Sequence, residues 1–183
     1  MKPIIWKATK WPAIEYFTLQ NKGQGMVASG SINGVKDQIP FCIRYKVELT
    51  ADWRITTFHI REESIQSKEL ILTSDLEGHW FDKDNNQIEL FDNCLDIDIS
   101  LTPFTNTLPI KRLQFDNKES KVLDILYIKL PEFELQKVQQ RYTRITQHEY
   151  LYENISTDFS AKIPYDEFYL VKNYPGIFER ITY

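Results

Sequence analysis

The sequence predicts an all-β protein with little helix, built on a strongly curved antiparallel sheet whose concave side could form a cavity. Three observations predict this fold class. Apolar and polar residues alternate with a period of two in several segments, aromatic residues make up 14% of the chain, and short turn signals separate the segments. A period of two places successive side chains on opposite faces of a strand, and aromatic and β-branched residues are enriched in strands.

The clearest alternation lies in residues 41–49 (FCIRYKVEL), where the odd positions are apolar and most even positions are charged. This is the pattern of a half-buried strand. Residues 95–101 alternate in the same way, whereas residues 122–130 carry apolar side chains on both sides, which predicts a strand covered on both faces. Further strands are predicted, in chain order, at 13–19, 25–32, 53–60, 69–73, 79–81, 110–115, 134–143, 148–153, 158–163 and 169–171.

Turn signals lie between these segments, and Asn33-Gly34 is the strongest because both residues tolerate the positive φ of a tight hairpin turn. No linker, repeat or low-complexity tract interrupts the chain, so we expect a single domain over residues 1–183. So many strands must curl, close or split into two layers. The concave apolar side of a bent sheet is where a small ligand would lie.

Composition and charge exclude several function classes. The net charge is -4 and no basic block exceeds two residues, which argues against a nucleic-acid partner. The N-terminal segment lacks a secretory signal and no segment has transmembrane length, so a cytoplasmic location is expected. Cys42 and Cys94 are expected to be reduced and buried. The histidines His59, His79 and His148 lie too far apart for a metal motif, and no cofactor is predicted.

The pair Asp96-x-Asp98 places two carboxylates on one face of a strand. They could bind a metal ion or act as an acid/base pair on a glycosidic bond. A structural ion pair is the preferred interpretation, because Lys111 and Arg112 come within reach if the strands at 95–101 and 110–115 are neighbours. Arg180, near the C-terminus, is a second candidate partner for a buried carboxylate.

Residues 102–109 (TPFTNTLP) form a turn with a proline near each end, and proline removes a backbone donor, so the segment is not a central strand. Its threonines and asparagine are suited to bracing the loop by bonds to nearby backbone groups, which is the preferred interpretation. They could also recognise sugar hydroxyls at a cavity mouth. The aromatic side chains are expected in the core, with a minority lining a pocket.

These motifs resemble those of the "putative glycolipid-binding" family, bacterial proteins once grouped as a domain of unknown function. The resemblance covers nearly the whole chain. It implies a barrel-like or half-open barrel similar to bacterial lipoprotein carrier proteins. The matching residues are Glu15, Gly30-x3-Gly34, Tyr45, Asp52-Trp53-Arg54, Gly78-His79-Trp80, Asp96-x-Asp98, Thr102-Pro103-Phe104-Thr105-Asn106-Thr107-Leu108-Pro109-Ile110-x-Arg112-Leu113, Gln140-x-Tyr142-Thr143, Tyr150-x-Tyr152-Glu153 and Tyr174-Pro175-Gly176-x-Phe178-x-Arg180.

We therefore expect a non-catalytic binding protein that holds a lipid or glycolipid in the concave face of the sheet. One alternative is a hydrolase acting on a sugar or lipid ester through Glu15, Asp96 or Asp98. Another is a structural domain without ligand, and exposed edge strands make a homodimer conceivable. The residues expected to contact the ligand are Glu15, Tyr45, Trp53, Trp80, Asp98, Thr105, Asn106, Arg112, Tyr142 and Tyr152.

Overall fold

In the computed structural model, which describes residues 2–63 and 67–183, the chain forms fourteen strands in two sheets and one short α-helix. The all-β class expected from the sequence is confirmed. Helix α1 spans Thr107–Leu113, and 3-10 turns lie at Glu89–Phe91 and Phe104–Asn106. The strands are β1 (Ile4–Ala8), β2 (Ala13–Lys22), β3 (Gly25–Lys36), β4 (Ile39–Leu49), β5 (Ile55–Glu62), β6 (Glu69–Ser74), β7 (Trp80–Phe81), β8 (Asp96–Ile99), β9 (Ser120–Lys129), β10 (Glu134–Thr146), β11 (Glu149–Asn154), β12 (Phe159–Pro164), β13 (Asn173–Tyr174) and β14 (Phe178–Ile181).

The larger sheet contains nine strands in the order β13-β14-β1-β2-β3-β4-β5-β6-β7. All its pairs are antiparallel, and β14 returns the C-terminus to the side of β1. The alternation expected in β4 is confirmed: Ile43, Tyr45 and Val47 are buried, while Arg44 and Lys46 are exposed. One face of this sheet is therefore apolar and covered, and the other is polar and meets solvent.

The smaller sheet contains five strands in the order β12-β11-β10-β9-β8. Its pairs are antiparallel except that β8 runs parallel to β9. The strand expected to be covered on both faces is β9, and there the consecutive residues Ile125 and Leu126 are both buried. No helix in the described part of the chain is long and apolar enough to cross a bilayer.

Buried side chains of both sheets form one hydrophobic cluster. The segment between β8 and β9 contributes to it, because the ring of Phe104 lies 4.7 Å from that of Phe17 on β2 and 6.4 Å from that of Tyr45 on β4. Leu108 and Ile110 of α1 are also buried. The covered side of the nine-stranded sheet is thus occupied by the protein's own side chains.

The prediction that Asn33-Gly34 forms a hairpin turn was wrong. Both residues lie inside β3, paired with Cys42 and Phe41 of β4, and the turn falls at Asp37 and Gln38, where φ is 50° and 66°. Gly34 has a different role, because an added Cβ there would lie 2.4 Å from the Cβ of Ala13 on β2. The glycine allows two strands to approach closely rather than reversing the chain.

The strand predicted at 110–115 was also wrong, because most of this segment belongs to α1. Pro109 is the third residue of the helix and lies in its first turn. Backbone N–H groups of the first turn have no intrahelical acceptor, so a proline there costs no helix hydrogen bond. The helix ends at Leu113, and the capping residue Gln114 has a left-handed φ of 46°. The strand predicted at 169–171 is reduced to an isolated bridge between Tyr165 and Val171.

Candidate functional site

The segment from Thr102 to Arg112 joins the two sheets through its polar side chains. Its backbone turns after β8, passes through a 3-10 turn and enters α1. Most of this segment is buried, including Thr102, Thr105, Asn106 and Thr107. Buried hydroxyl and amide groups need hydrogen-bond partners, and these side chains find theirs within the protein.

Glu15, on β2, links the nine-stranded sheet to this segment. Its Oε1 accepts hydrogen bonds from the hydroxyls of Tyr45, at 2.6 Å, and Thr102, at 2.9 Å. Gly30 makes this geometry possible, because a Cβ there would lie 2.1 Å from Cε1 of Tyr45 and 2.7 Å from Oε1 of Glu15. The Tyr45 ring can cross β3 only because that position carries no side chain.

Glu15 is 2% exposed, and its Oε2 has no hydrogen-bond partner. Burial raises the pKa of Glu15 to about 8, although the bonds from Tyr45 and Thr102 lower it in part. Desolvation disfavours the charged form of a carboxyl group more than two hydroxyl donors stabilise it. Glu15 is therefore mainly protonated in the folded protein at pH 7.

Asp98, on β8, links the five-stranded sheet to the same segment. Its Oδ1 accepts a bond from the Thr105 hydroxyl at 3.0 Å, and its Oδ2 accepts one from Nε2 of Gln140 at 2.7 Å. Burial raises the pKa of Asp98, and the bonds from Gln140 and Thr105 oppose that rise. The Tyr142 hydroxyl lies 3.1 Å from the amide oxygens of both Asn106 and Gln140 and donates its proton to one of them.

Two buried carboxylates pair with arginines. Arg112 donates through Nε and Nη2 to the two oxygens of Asp96, at 3.2 and 2.6 Å. Asp96 is 1% exposed, so this ion pair lies inside the protein. Arg180 donates to Oδ2 of Asp166 at 2.6 Å. The structural ion pair expected for Arg112 is confirmed, and so is the partner expected for Arg180, although Arg112 reaches Asp96 from a helix rather than from a neighbouring strand.

The ten residues expected to contact a ligand do not share one open cavity. Glu15 and Tyr45 meet each other, and Asp98, Thr105, Asn106 and Tyr142 form a second group, but the contacts above join these side chains to one another. Arg112 is engaged by Asp96. Trp80 donates to the carbonyl of Cys94 at 2.7 Å and is fully buried, and the Tyr152 ring packs 5.4 Å from Tyr142. Trp53 alone lies apart and half-exposed, beside Lys111.

An open groove of about 570 Å³ lies on the polar face of the nine-stranded sheet. Strands β2 to β5 form its floor, with Gly30 and the edge of Tyr45 directly above the Glu15 carboxyl group. The side chains that line its walls alternate with the buried ones. They are Tyr16, Thr18, Ser29, Ser31, Arg44, Lys46, His59, Arg61 and Glu63.

Arg44, Lys46 and Arg61 are the basic side chains of the groove lining and Glu63 is acidic, and Lys46 pairs with Glu48 on its own strand. Arg44 pairs with Glu63 at 2.9 Å. Tyr16 is 52% exposed, so its ring is accessible from the groove. Sequence reasoning missed this groove because each lining residue looks like an ordinary solvated position of a half-buried strand. The available signal was the run of hydroxyl and basic residues at the outward positions of four consecutive strands.

Among the described residues, no group of His, Cys, Asp or Glu has the geometry of a metal site. Cys42 and Cys94 are free thiols. Burial raises the pKa of Cys94 to about 12, so its thiol stays protonated.

Fold and groove together define an all-β protein of two sheets with buried acids bonded to neighbouring side chains and a solvent-facing polar groove. The chain belongs to the family described as "Putative glycolipid-binding", whose sequence pattern matches residues 3–180. It is similar to the crystal structure of a DUF1089 family protein from Pseudomonas aeruginosa, with 34% identity over 91% of this chain and 92% of that one, and a TM-score of 0.84. No curated protein matches the sequence.

Proposed function

We propose that this protein is a non-catalytic binding protein for a lipid or glycolipid and that the polar head of the ligand lies in the groove across β2 to β5. The groove is the observation that carries the proposal. Its volume of about 570 Å³ falls in the range of small-molecule sites, which is roughly 300–1,000 Å³. The family description agrees with a ligand of this class.

The lining of the groove suits a hydroxylated or anionic head. Ser29, Ser31 and Thr18 supply hydroxyls that both donate and accept, and Arg61 supplies a planar set of donors. The exposed face of Tyr16 is suited to stacking on a sugar ring. These groups sit on paired strands, so the sheet holds them at fixed spacing without a ligand.

An apolar strip beside the groove would receive the hydrocarbon part of the ligand. Ile14 is 46% exposed and lies on the same face of β2 as Tyr16, and Val35 on the adjacent strand is 38% exposed. This location replaces the concave inner face expected from the sequence, because buried side chains occupy that face. Acyl chains would thus lie along the surface of the sheet.

The acids considered for hydrolysis are already engaged, which favours binding over catalysis. Both oxygens of Asp96 accept from Arg112, and both oxygens of Asp98 accept from neutral donors. Glu15 lies beneath the floor of the groove rather than within it. A glycosidase needs two carboxyl groups that face the scissile bond from a shared cavity.

Native mass spectrometry after incubation with a bacterial lipid extract tests this proposal. The wild-type protein should retain a lipid, and the double variant Tyr16→Ser/Arg61→Gln should retain much less while giving the same circular dichroism spectrum. Arg141→Gln is the matched control, because Arg141 is a partly exposed arginine on β10 that pairs with Glu153 at 3.5 Å. Absence of any bound lipid, or equal retention by the double variant, would contradict the proposal.

A further inference from the structure

Lys111 occupies an unusual position for a surface lysine. Its Nζ lies 5.2 Å from the ring centroid of Trp53 and 5.1 Å from that of Tyr169, so the ammonium group sits between two aromatic faces. Each such contact attracts the cation and restricts its motion. Arg112 and Lys121 nearby have carboxylate partners, whereas Lys111 has none among the residues that the structure describes.

The two rings are held at a cost in backbone strain. Trp53 has a φ of 66° and Tyr169 a φ of 64°, values that bulky side chains rarely adopt. Local bonds maintain both: the N–H of Trp53 donates to the carbonyl of Thr50 at 3.1 Å, and that of Tyr169 donates to the carbonyl of Asp166 at 3.0 Å. The fold thus maintains two strained residues whose rings fix one cation.

An open groove of about 450 Å³ adjoins this cation. Phe115 and Tyr150 contribute its aromatic wall, and Arg144 contributes a second cation. The guanidinium of Arg144 donates to the backbone carbonyls of Phe115 and Thr146, at 2.5 and 3.2 Å, so neutral groups hold it in place, and no carboxylate among the described residues pairs with it. Asp116 is the acid in the lining, so cations outnumber acids by two to one.

We infer that this groove binds a phosphate-type oxyanion through Lys111, with Arg144 as the second positive charge. A compact ammonium group and a fixed guanidinium are the two side chains best suited to phosphate oxygens. The flanking rings supply apolar contact for whatever group carries the phosphate. The site is separate from the groove across β2 to β5 and does not depend on the proposed glycolipid function.

Titration of the protein with inorganic phosphate, followed by the indole and amide resonances in ¹⁵N NMR spectra, tests the inference. Saturable shifts should appear at Trp53 and at the end of α1. Lys111→Met should weaken binding roughly tenfold, since the variant loses a charge-assisted hydrogen bond, and Lys111→Arg should retain most of it. Lys10→Met is the matched control, because Lys10 lies over the Phe159 ring at 5.9 Å in a different part of the structure.

The source of the phosphate is distinguished by a second arm of the experiment. Phosphatidylcholine vesicles with and without phosphatidic acid are compared with free phosphate, and binding only to the acidic vesicles would identify a lipid headgroup. No saturable shift with either probe, or equal affinity of Lys111→Met and wild type, would overturn the inference. Binding of an uncharged glycolipid should be the same in Lys111→Met, so failure here and failure of the glycolipid proposal give different results.

Discussion

Replacing Glu15 by glutamine should remove most of the pH dependence of stability that this group creates. The folded pKa of about 8 lies well above the value of 4.5 that an unperturbed glutamate has in the unfolded chain. Because the pKa is raised on folding, the stabilising effect of protonation is fully present below pH 4.5. It is lost as the pH rises towards 8.

The magnitude follows from the two pKa values. Each unit of difference corresponds to about 1.4 kcal/mol, and between pH 4.5 and 8 the free energy of unfolding should fall by about 4 kcal/mol through Glu15 alone. Glutamine does not titrate, and its amide oxygen can still accept from Tyr45 and Thr102. The stability of Glu15→Gln relative to wild type should therefore rise by about 4 kcal/mol across this pH range.

Urea denaturation followed by tryptophan fluorescence, at several pH values across this range, measures the difference directly. Glu167→Gln, which removes a carboxyl group at an exposed position, is the control. Parallel curves for wild type and Glu15→Gln would refute the reasoning, since they would mean that Glu15 titrates alike in the folded and unfolded chains.

Three further substitutions test the buried contacts by their effect on the free energy of unfolding in urea. Gly30→Ala should cost about 2 kcal/mol, because the added Cβ would lie 2.1 Å from the Tyr45 ring. Arg112→Met should cost about 3 to 5 kcal/mol by leaving the buried Asp96 unpaired, and adding Asp96→Leu should recover part of the loss. Tyr142→Phe should cost about 1 kcal/mol through the loss of one buried hydrogen bond.

Matched controls for these variants come from positions outside the buried core. Ser29→Ala, next to Gly30 but on the outward face of β3, and Arg141→Met, on β10, should each change the free energy of unfolding by less than about 0.5 kcal/mol. Tyr16→Phe is the control for Tyr142, because the Tyr16 side chain is 52% exposed. A control variant that loses as much stability as its buried counterpart would contradict the assignment of these costs to buried contacts.

The all-β class and most strands could be predicted from the sequence because alternation is a local property. In β4, Ile43 and Arg44 show by themselves which face is covered. Alternation did not determine where the chain turns: Asn33-Gly34 has the chemistry of a hairpin turn, but pairing with β2 and β4 extends β3 past it. Non-local strand pairing outweighed a favourable local signal.

Helix α1 was misassigned for a related reason. Residues 110–115 place apolar side chains at Ile110, Leu113 and Phe115, which fits a short strand as well as a helix turn. The segment before α1 favours the helix over the strand, because its backbone already forms a 3-10 turn at Phe104–Asn106. The ion pair of Arg112 was predictable from residue types, but its approach from a helix required the tertiary structure.

The candidate groove could not be predicted because no single residue indicates it. Its lining comes from four strands, and it becomes a site only when the register places Ser31 beside Arg44 and Arg44 beside Arg61. A sequence shows each of these as a solvated side chain. The site of Lys111 is likewise formed by residues far apart in the chain, because Trp53 and Tyr169 flank its ammonium group.

The short segment that links both sheets has a consequence for how the molecule opens. Separating the two sheets would break the bond between Thr102 and Glu15, which joins the segment after β8 to the nine-stranded sheet, whereas Asp96 and Asp98 lie on β8 beside their own partners in that segment. The same opening would withdraw the Phe104 ring from Phe17 and Tyr45, so it would expose apolar core together with the Glu15 carboxyl group. Amide protons of β2, β8 and β10 should consequently exchange with solvent at a common, slow rate set by global unfolding.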